Sequence, residues 1–328
     1  MTTNFWIKLK KRKQPILALA PMAGITDAAF RQLCKMYGAD VVYTEMISAD
    51  GLYYDSKKTL IMLKFKKIEQ PVIIQLFGKH PEHFTKAAHI AERFGFAGID
   101  INFGCPARKV AGHGGGVTLM RDLEKSYQII EKTLQGTKLP VSIKLRSSIK
   151  DLTNQKTITA LEFIEAVNDL PISAIMIHGR PYENPFHAEI DYQMIKLTGE
   201  KFLAKHSQGV FLGNGGVNTP ELAKKMMEET GCQGVGLARG LYGKPWLFKQ
   251  CKDYFHRHKY QEFSYQEIKK VMLKHAKLIK KNNQNFKELR KHLVWYVKSW
   301  PNARELRSKL VVVENFNNLK QILKDISF

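Results

Sequence analysis

Short apolar runs recur along the chain at 17–20, 41–44, 72–77, 98–101, 141–145, 174–177, 210–212 and 234–237. Each is short for a helix and mostly rich in Val, Ile and Leu, as expected of strands buried on both faces. The segments between them carry helical signals. After residue 218, for example, Thr219 suits an N-cap, Pro220 a first helical position, Leu222, Met226 and Met227 one apolar face, and Gly231 the stop. Eight alternations of strand and helix predict an α/β fold, a parallel (β/α)8 TIM barrel. After about residue 255 the strand runs cease. Spacings of three and four in Ile268, Val271 and Met272, and in Phe286, Leu289, Leu293 and Tyr296, predict helices instead. The expected organisation is a barrel over 1–255 followed by an all-helical domain over 256–328.

The cationic stretch 8–13 and the apolar stretch 16–20 have the order of a secretory signal. The apolar part is short, is broken at Pro21 and Gly24, and runs straight into Asp27 and Arg31, so it reads as a buried first strand. Cys34, Cys105, Cys232 and Cys251 form no CxxC pair and no metal-ligand spacing, so a reducing cytoplasm and no metal are expected. No run of about 20 apolar residues free of charge occurs, and no membrane span is expected.

A chain of 328 residues with 44% hydrophobic and 25% charged residues can bury a large core, which excludes a disordered tail or a disulfide miniprotein. Lys and Arg number 52 against 30 Asp and Glu, a net charge of +22. Residues 251–328 hold 18 of those cations and 7 of the acids, a net of +11. Half the positive excess therefore sits on the helical part, which favours a polyanionic partner such as nucleic acid.

In a barrel of this kind chemistry sits at the carboxyl ends of the strands. Those ends read Pro21-Met22-Ala23-Gly24, Thr44-Glu45-Met46, Gln75-Leu76-Phe77-Gly78, Asn102-Phe103-Gly104-Cys105-Pro106, Lys144-Leu145-Arg146, His178-Gly179-Arg180, Gly213-Asn214-Gly215-Gly216 and Ala238-Arg239-Gly240. Glycine-rich turns after the last two strands suit a phosphate held by backbone N–H groups. Lys144 and His178 end successive strands and could neutralise an anionic cofactor ring or its phosphate. The amide of Gln75 could bond an imide edge. Cys105 follows a strand end, where a thiol can act either as a general acid or, with a base beside it, as a thiolate nucleophile.

Together these residues resemble the tRNA-dihydrouridine synthase family, most closely its bacterial B-type branch. The resemblance rests on Ala20-Pro-Met-Ala-Gly-Ile-Thr-Asp27, Thr44-Glu-Met46, Gln75-Leu-Phe-Gly78, Asp100-Ile-Asn-Phe-Gly-Cys-Pro106, Lys109-Val110, Ile143-Lys144, His178-Gly-Arg180, Gly213-Asn-Gly215 and Arg239-Gly240. It extends to Arg290-Lys-His-Leu-Val-Trp-Tyr296 and Ala303-Arg-Glu-Leu306. It implies an FMN-bound barrel, recharged by NADPH or NADH, that reduces the C5=C6 bond of uridines in tRNA. Hydride would pass from flavin N5 to C6 while Cys105 protonates C5. Pro21, Met22 and Ala23 would line the flavin, Gln75 would bond its ring, and Lys144 and His178 would lie beside it. Asn214, Gly215, Gly216, Ala238 and Arg239 would hold its phosphate. Asn102, Arg146 and Arg180 are expected to orient the substrate, and Arg290, Lys291 and Arg304 to bind the tRNA. A monomer is expected.

The chain departs from the family pattern where Gly216 replaces an acid, Ala238 a glycine and Tyr182 a second arginine, and where the Cys105 loop reads Gly112-His113-Gly114 in place of a lysine. Two other readings remain. A flavin dehydrogenase of free pyrimidines or dihydroorotate would need no basic helical domain, and a non-enzymatic RNA-binding protein would need no flavin.

Overall fold

The structure, a computed structural model, describes residues 4–326 except 113, 152 and 154. His113 of the glycine-rich loop therefore lies outside the described residues, as do the side chains of Arg108 and Lys109.

Ten strands form: β1 Ile16–Leu19, β2 Val41–Ser48, β3 Val72–Phe77, β4 Gly98–Phe103, β5 Val141–Arg146, β6 Ser148–Lys150, β7 Thr157–Thr159, β8 Ala174–His178, β9 Val210–Asn214 and β10 Gly234–Leu237. Eight of them close a barrel in the order β1, β2, β3, β4, β5, β8, β9, β10, with every neighbouring pair parallel. The sequence pattern anticipates this barrel. β2 runs four residues beyond the expected end, because Met46, Ile47 and Ser48 continue to pair with Gln75, Leu76 and Phe77. The antiparallel pair β6 and β7 was not anticipated, since three-residue strands are too short to show a period.

Nor was the helix Phe5–Lys11, capped by Asn4. Its Trp6 is fully buried with Ile16, Val41, Ala174 and Val210, the inward residues that open their strands, so the helix closes the amino end of the barrel. The cationic stretch that imitated a signal is the polar face of this helix, and Lys10 donates to the carbonyls of Ser207 and Gly209. The outer helices bear out the capping signals. Thr219 accepts from the N–H of Leu222, Pro220 opens Pro220–Thr230, and Gly231 ends it in the left-handed region.

Beyond Leu247–Arg257 come the helices Tyr265–Lys281, Lys287–Tyr296, Ala303–Leu310 and Phe316–Asp325. They share a second apolar core, which also takes in Ala29 and Leu33 from the barrel helix Ala28–Met36 and Trp246 from the approach to Leu247–Arg257. Phe30 and Cys34 of that same barrel helix lie in the main core. One helix thus contributes to both. No helix among the described residues is long and apolar enough to cross a membrane.

Candidate active site at the carboxyl mouth

Parallel register brings the polar strand ends together. Gln75 lies opposite Asp100, Asn102 opposite Lys144, Arg146 opposite His178, and His178 opposite Asn214. All of these except the fully buried Asp100 open onto two adjoining cavities. The inner one, about 190 Å³, is walled by Ala20, Pro21, Ala23, Met46, Gln75, Asn102, Cys105, Lys144 and Arg146. The outer one, about 250 Å³, is walled by Arg180, Gly215, Gly216, Val217, Asn218, Arg239 and Gly240. His178, Asn214 and Ala238 border both. Met22 lines neither and packs against the main core.

The outer cavity is a cradle for an anion. Gly215 and Gly216 have φ of 110° and 71°, a region that disfavours side chains, and a Cβ on Gly215 would lie 2.9 Å from Ile190 Cδ1. Gly216, where the family pattern has an acid, thus suits its backbone conformation. Arg180 Nε donates to the carbonyl of Ala188, but its Nη1 is buried and without a partner among the described residues. A buried donor of this kind calls for an acceptor. The guanidinium of Arg239 lies 4.9 Å from the Phe186 ring centre.

The inner cavity is electropositive. Lys144 makes no hydrogen bond or ion pair among the described residues, and burial, with Arg146 nearby, holds its ammonium down to about 8. Burial, then Lys144, Arg146, Arg180 and Arg239, push His178 well below the ordinary imidazole value. His178 is therefore neutral at pH 7. Asp100, fully buried, is raised to about 6 by desolvation.

Cys105 is half-buried, and its N–H donates to Asn102 Oδ1 at 2.8 Å. Burial raises the thiol above its ordinary value, with the N–H of Ala107 and the charges of Arg146 and Lys144 acting the other way. The sulfur is thus protonated at neutral pH. That favours a proton donor over a thiolate nucleophile. Arg146, buried, donates from Nε to the carbonyl of Gly104 and from Nη1 to those of Arg180 and Pro181, so it ties the Cys105 loop to the His178 loop.

On the helical part, Arg290 spends Nε and Nη2 on the carbonyls of Val313 and Val312, and Lys291 pairs with Glu288. Arg304 is exposed. Tyr296 and Trp300 are buried in the second core, whereas Trp295 stacks on Tyr242 at 4.0 Å between ring centres. Two carboxylates near the site had no role assigned from sequence: Glu45 on β2, and Asp100, buried beneath the inner cavity. Glu45 accepts from the N–H of Gly24, and Asp100 bonds Gln75 and Ser142. Both stood inside quoted motifs, which was the available signal.

A family profile for Dihydrouridine synthase (Dus) matches residues 18–327. The chain belongs to this family. It is 31% identical over 297 residues to the tRNA-dihydrouridine synthase B of Pseudomonas aeruginosa, covering 89% of this chain and 87% of the relative. It is 30% identical over 316 residues to the tRNA-dihydrouridine synthase B of Pasteurella multocida, covering 92% of each. Among solved structures, histamine dehydrogenase from Rhizobium sp. 4-9 superposes with a TM-score of 0.52 at 12% identity, covering 80% of this chain and 49% of that one. TcOYE with pHBA gives 0.51 at 10%, covering 73% and 89%. At these identities the structural likeness speaks for the barrel alone.

Proposed function

We propose that this chain is an FMN-dependent tRNA-dihydrouridine synthase, a flavin oxidoreductase that reduces the C5=C6 bond of uridines in tRNA. The observation that carries the reading is the meeting, at one mouth, of a protonated Cys105 thiol with Lys144, neutral His178 and an anion cradle containing an unpartnered Arg180 nitrogen. Bound FMN, recharged by NADPH or NADH, supplies the hydride for C6. Gly215, Gly216, Arg180 and Arg239 hold its phosphate with Asn214 and Ala238. Pro21, Ala23 and Gln75 border the ring, with Met22 behind them, and Lys144 and His178 offer N–H donors to its polar edge. Cys105 delivers its proton to C5 from the opposite face of the uracil, and Asn102 and Arg146 keep its loop in place.

The uridine must leave its stack to reach the mouth, which costs a few kcal/mol. By this reading the helices from Tyr265 to Asp325 offset this through phosphate contacts. The positive excess supports that role, and Lys291 and Arg304 are its contacts by this reading. The test is direct. Purified protein reconstituted with FMN should show a flavin band and form dihydrouridine in tRNA with NADPH or NADH. Unchanged dihydrouridine content in tRNA from a deletion strain would overturn the assignment, and turnover of free pyrimidines without RNA would replace it with the small-substrate reading.

A further inference from the structure

Four buried polar side chains form an unbroken chain from the barrel interior to the Cys105 loop. Ser142 Oγ donates to Asp100 Oδ1 at 2.7 Å, and Gln75 Nε2 donates to Asp100 Oδ2 at 2.7 Å. Asn102 Nδ2 donates to Gln75 Oε1 at 2.9 Å. Asn102 Oδ1 then accepts the backbone N–H groups of Gly104 at 3.0 Å and Cys105 at 2.8 Å. Asp100 and Gln75 are fully buried and Asn102 is 5% exposed, so water does not replace a misplaced partner.

The polarity of this chain follows from its ends. An ionised carboxylate only accepts, so Gln75 must present its NH2 to Asp100 and its oxygen to Asn102. Asn102 must then present its NH2 to Gln75, which leaves its oxygen for the two backbone donors. Reversing Asn102 would set donor against donor at Gly104 and Cys105, and reversing Gln75 alone would set oxygen against oxygen at Asp100 and donor against donor at Asn102.

We propose that Asp100 is a positioning residue, which through the amide orientations of Gln75 and Asn102 fixes the backbone that carries Cys105. The proposal rests on the reading of Cys105 as proton donor, but its test reads the loop itself. Cys34, Cys232 and Cys251 are buried and Cys105 is half-exposed, so alkylation of the purified chain by iodoacetamide, located by peptide mass, reports on Cys105.

Asn102→Asp places an acceptor where Gln75 also presents one, and the relay predicts a change in the Cys105 alkylation rate of about tenfold. Adding Asp100→Asn lets the whole chain reverse. The new amide at position 100 donates to Gln75 Oε1, Gln75 Nε2 donates to the new carboxylate at position 102, and that carboxylate still accepts from Gly104 and Cys105. The double variant should therefore return to within about twofold of wild type. Asp100→Leu with Asn102→Asp removes the same charge without supplying a donor and should give no rescue. Equal rescue by both partners would reduce the effect to charge repulsion and overturn the relay. So would single effects that merely add. If Asn102→Asp alone does not fold, the relay requires that the double variant fold, and an insoluble double variant also overturns it. Dihydrouridine formation by Cys105→Ala separately tests the donor role.

Discussion

The backbone N–H of Arg180 donates to Nδ1 of His178 at 3.1 Å, which places the single proton of this neutral ring on Nε2. Nε2 lies beside Gly215, 3.3 Å from where a Cβ would stand, and faces the junction of the two cavities. His178→Phe should therefore keep the fold and lose one donor to the flavin. The expected result is an FMN dissociation constant raised about tenfold, read by fluorescence titration, with His178→Gln retaining part of the affinity. Unchanged affinity in the Phe variant would remove His178 from the flavin site.

Cys105→Ala should bind FMN and RNA normally and slow reduction of the uridine by roughly 10²- to 10⁴-fold, measured as reoxidation of the reduced enzyme by tRNA in a single turnover. Because burial raises the thiol, the loss of rate at alkaline pH should begin above the range of an ordinary thiol. Wild-type speed in the Ala variant would eliminate the thiol as donor.

Lys144 loses its charge as pH rises through about 8 in the free protein. An anionic ligand binds the charged form better, so FMN affinity should fall as pH climbs past that value. Lys144→Met should bind FMN more weakly and with little pH dependence between 7 and 9. A titration series across that range decides the matter, and parallel slopes for the two proteins would refute it.

Where the second core meets the barrel, His275 and His292 are buried against Phe30, with ring centres 5.8 and 4.8 Å from it. His275 Nε2 and both ring nitrogens of His292 have no partner among the described residues. Burial depresses His275 to about 3, and burial together with His275 and Lys291 depresses His292 as well. Between that value and the unfolded value of about 6.5 the unfolded chain holds more protons, so stability rises with pH across this window. Acidification from 6.5 towards 3 should therefore cost a few kcal/mol, and His275→Leu with His292→Leu should flatten the slope in denaturant melts. A double variant with the wild-type slope would show that other groups set it.

The basic surface should divide by what each cation already holds. Arg304 is exposed, so Arg304→Ala should lower the salt dependence of tRNA binding by roughly 0.7 to 0.9 in the log–log slope while leaving melting unchanged. Arg290 ties its helix to the carbonyls of Val312 and Val313, so Arg290→Ala should lower stability by about 1–3 kcal/mol and leave the salt slope nearly intact. The opposite pattern would make Arg290 the phosphate ligand.

The barrel was legible because β3, β4 and β5 are apolar runs bounded by breakers, and because Thr219, Pro220 and Gly231 are strong local stops. Residue types at the mouth were legible too, since strand ends in register converge by topology. Partners were not. Asn102 and Arg146 lie at the cavity, yet their polar atoms hold the backbone of the Cys105 loop, and spacing along a chain does not say which carbonyl a guanidinium meets. Arg290 and Lys291 look alike as cations until the carbonyls of Val312 and Val313 and the carboxylate of Glu288 come beside them. The helix Phe5–Lys11 hid behind its lysines, because its one fully buried side chain, Trp6, makes no periodic pattern.

The helix Ala28–Met36 presents Phe30 and Cys34 to one core and Ala29 and Leu33 to the other. This shared helix couples the barrel to the cationic appendage, and the two should melt together. On the proposed reading, that apolar seam would set the angle at which a nucleic acid approaches the rim. A descendant recruited to a uridine elsewhere in the RNA would have to remodel the seam as well as shuffle surface lysines.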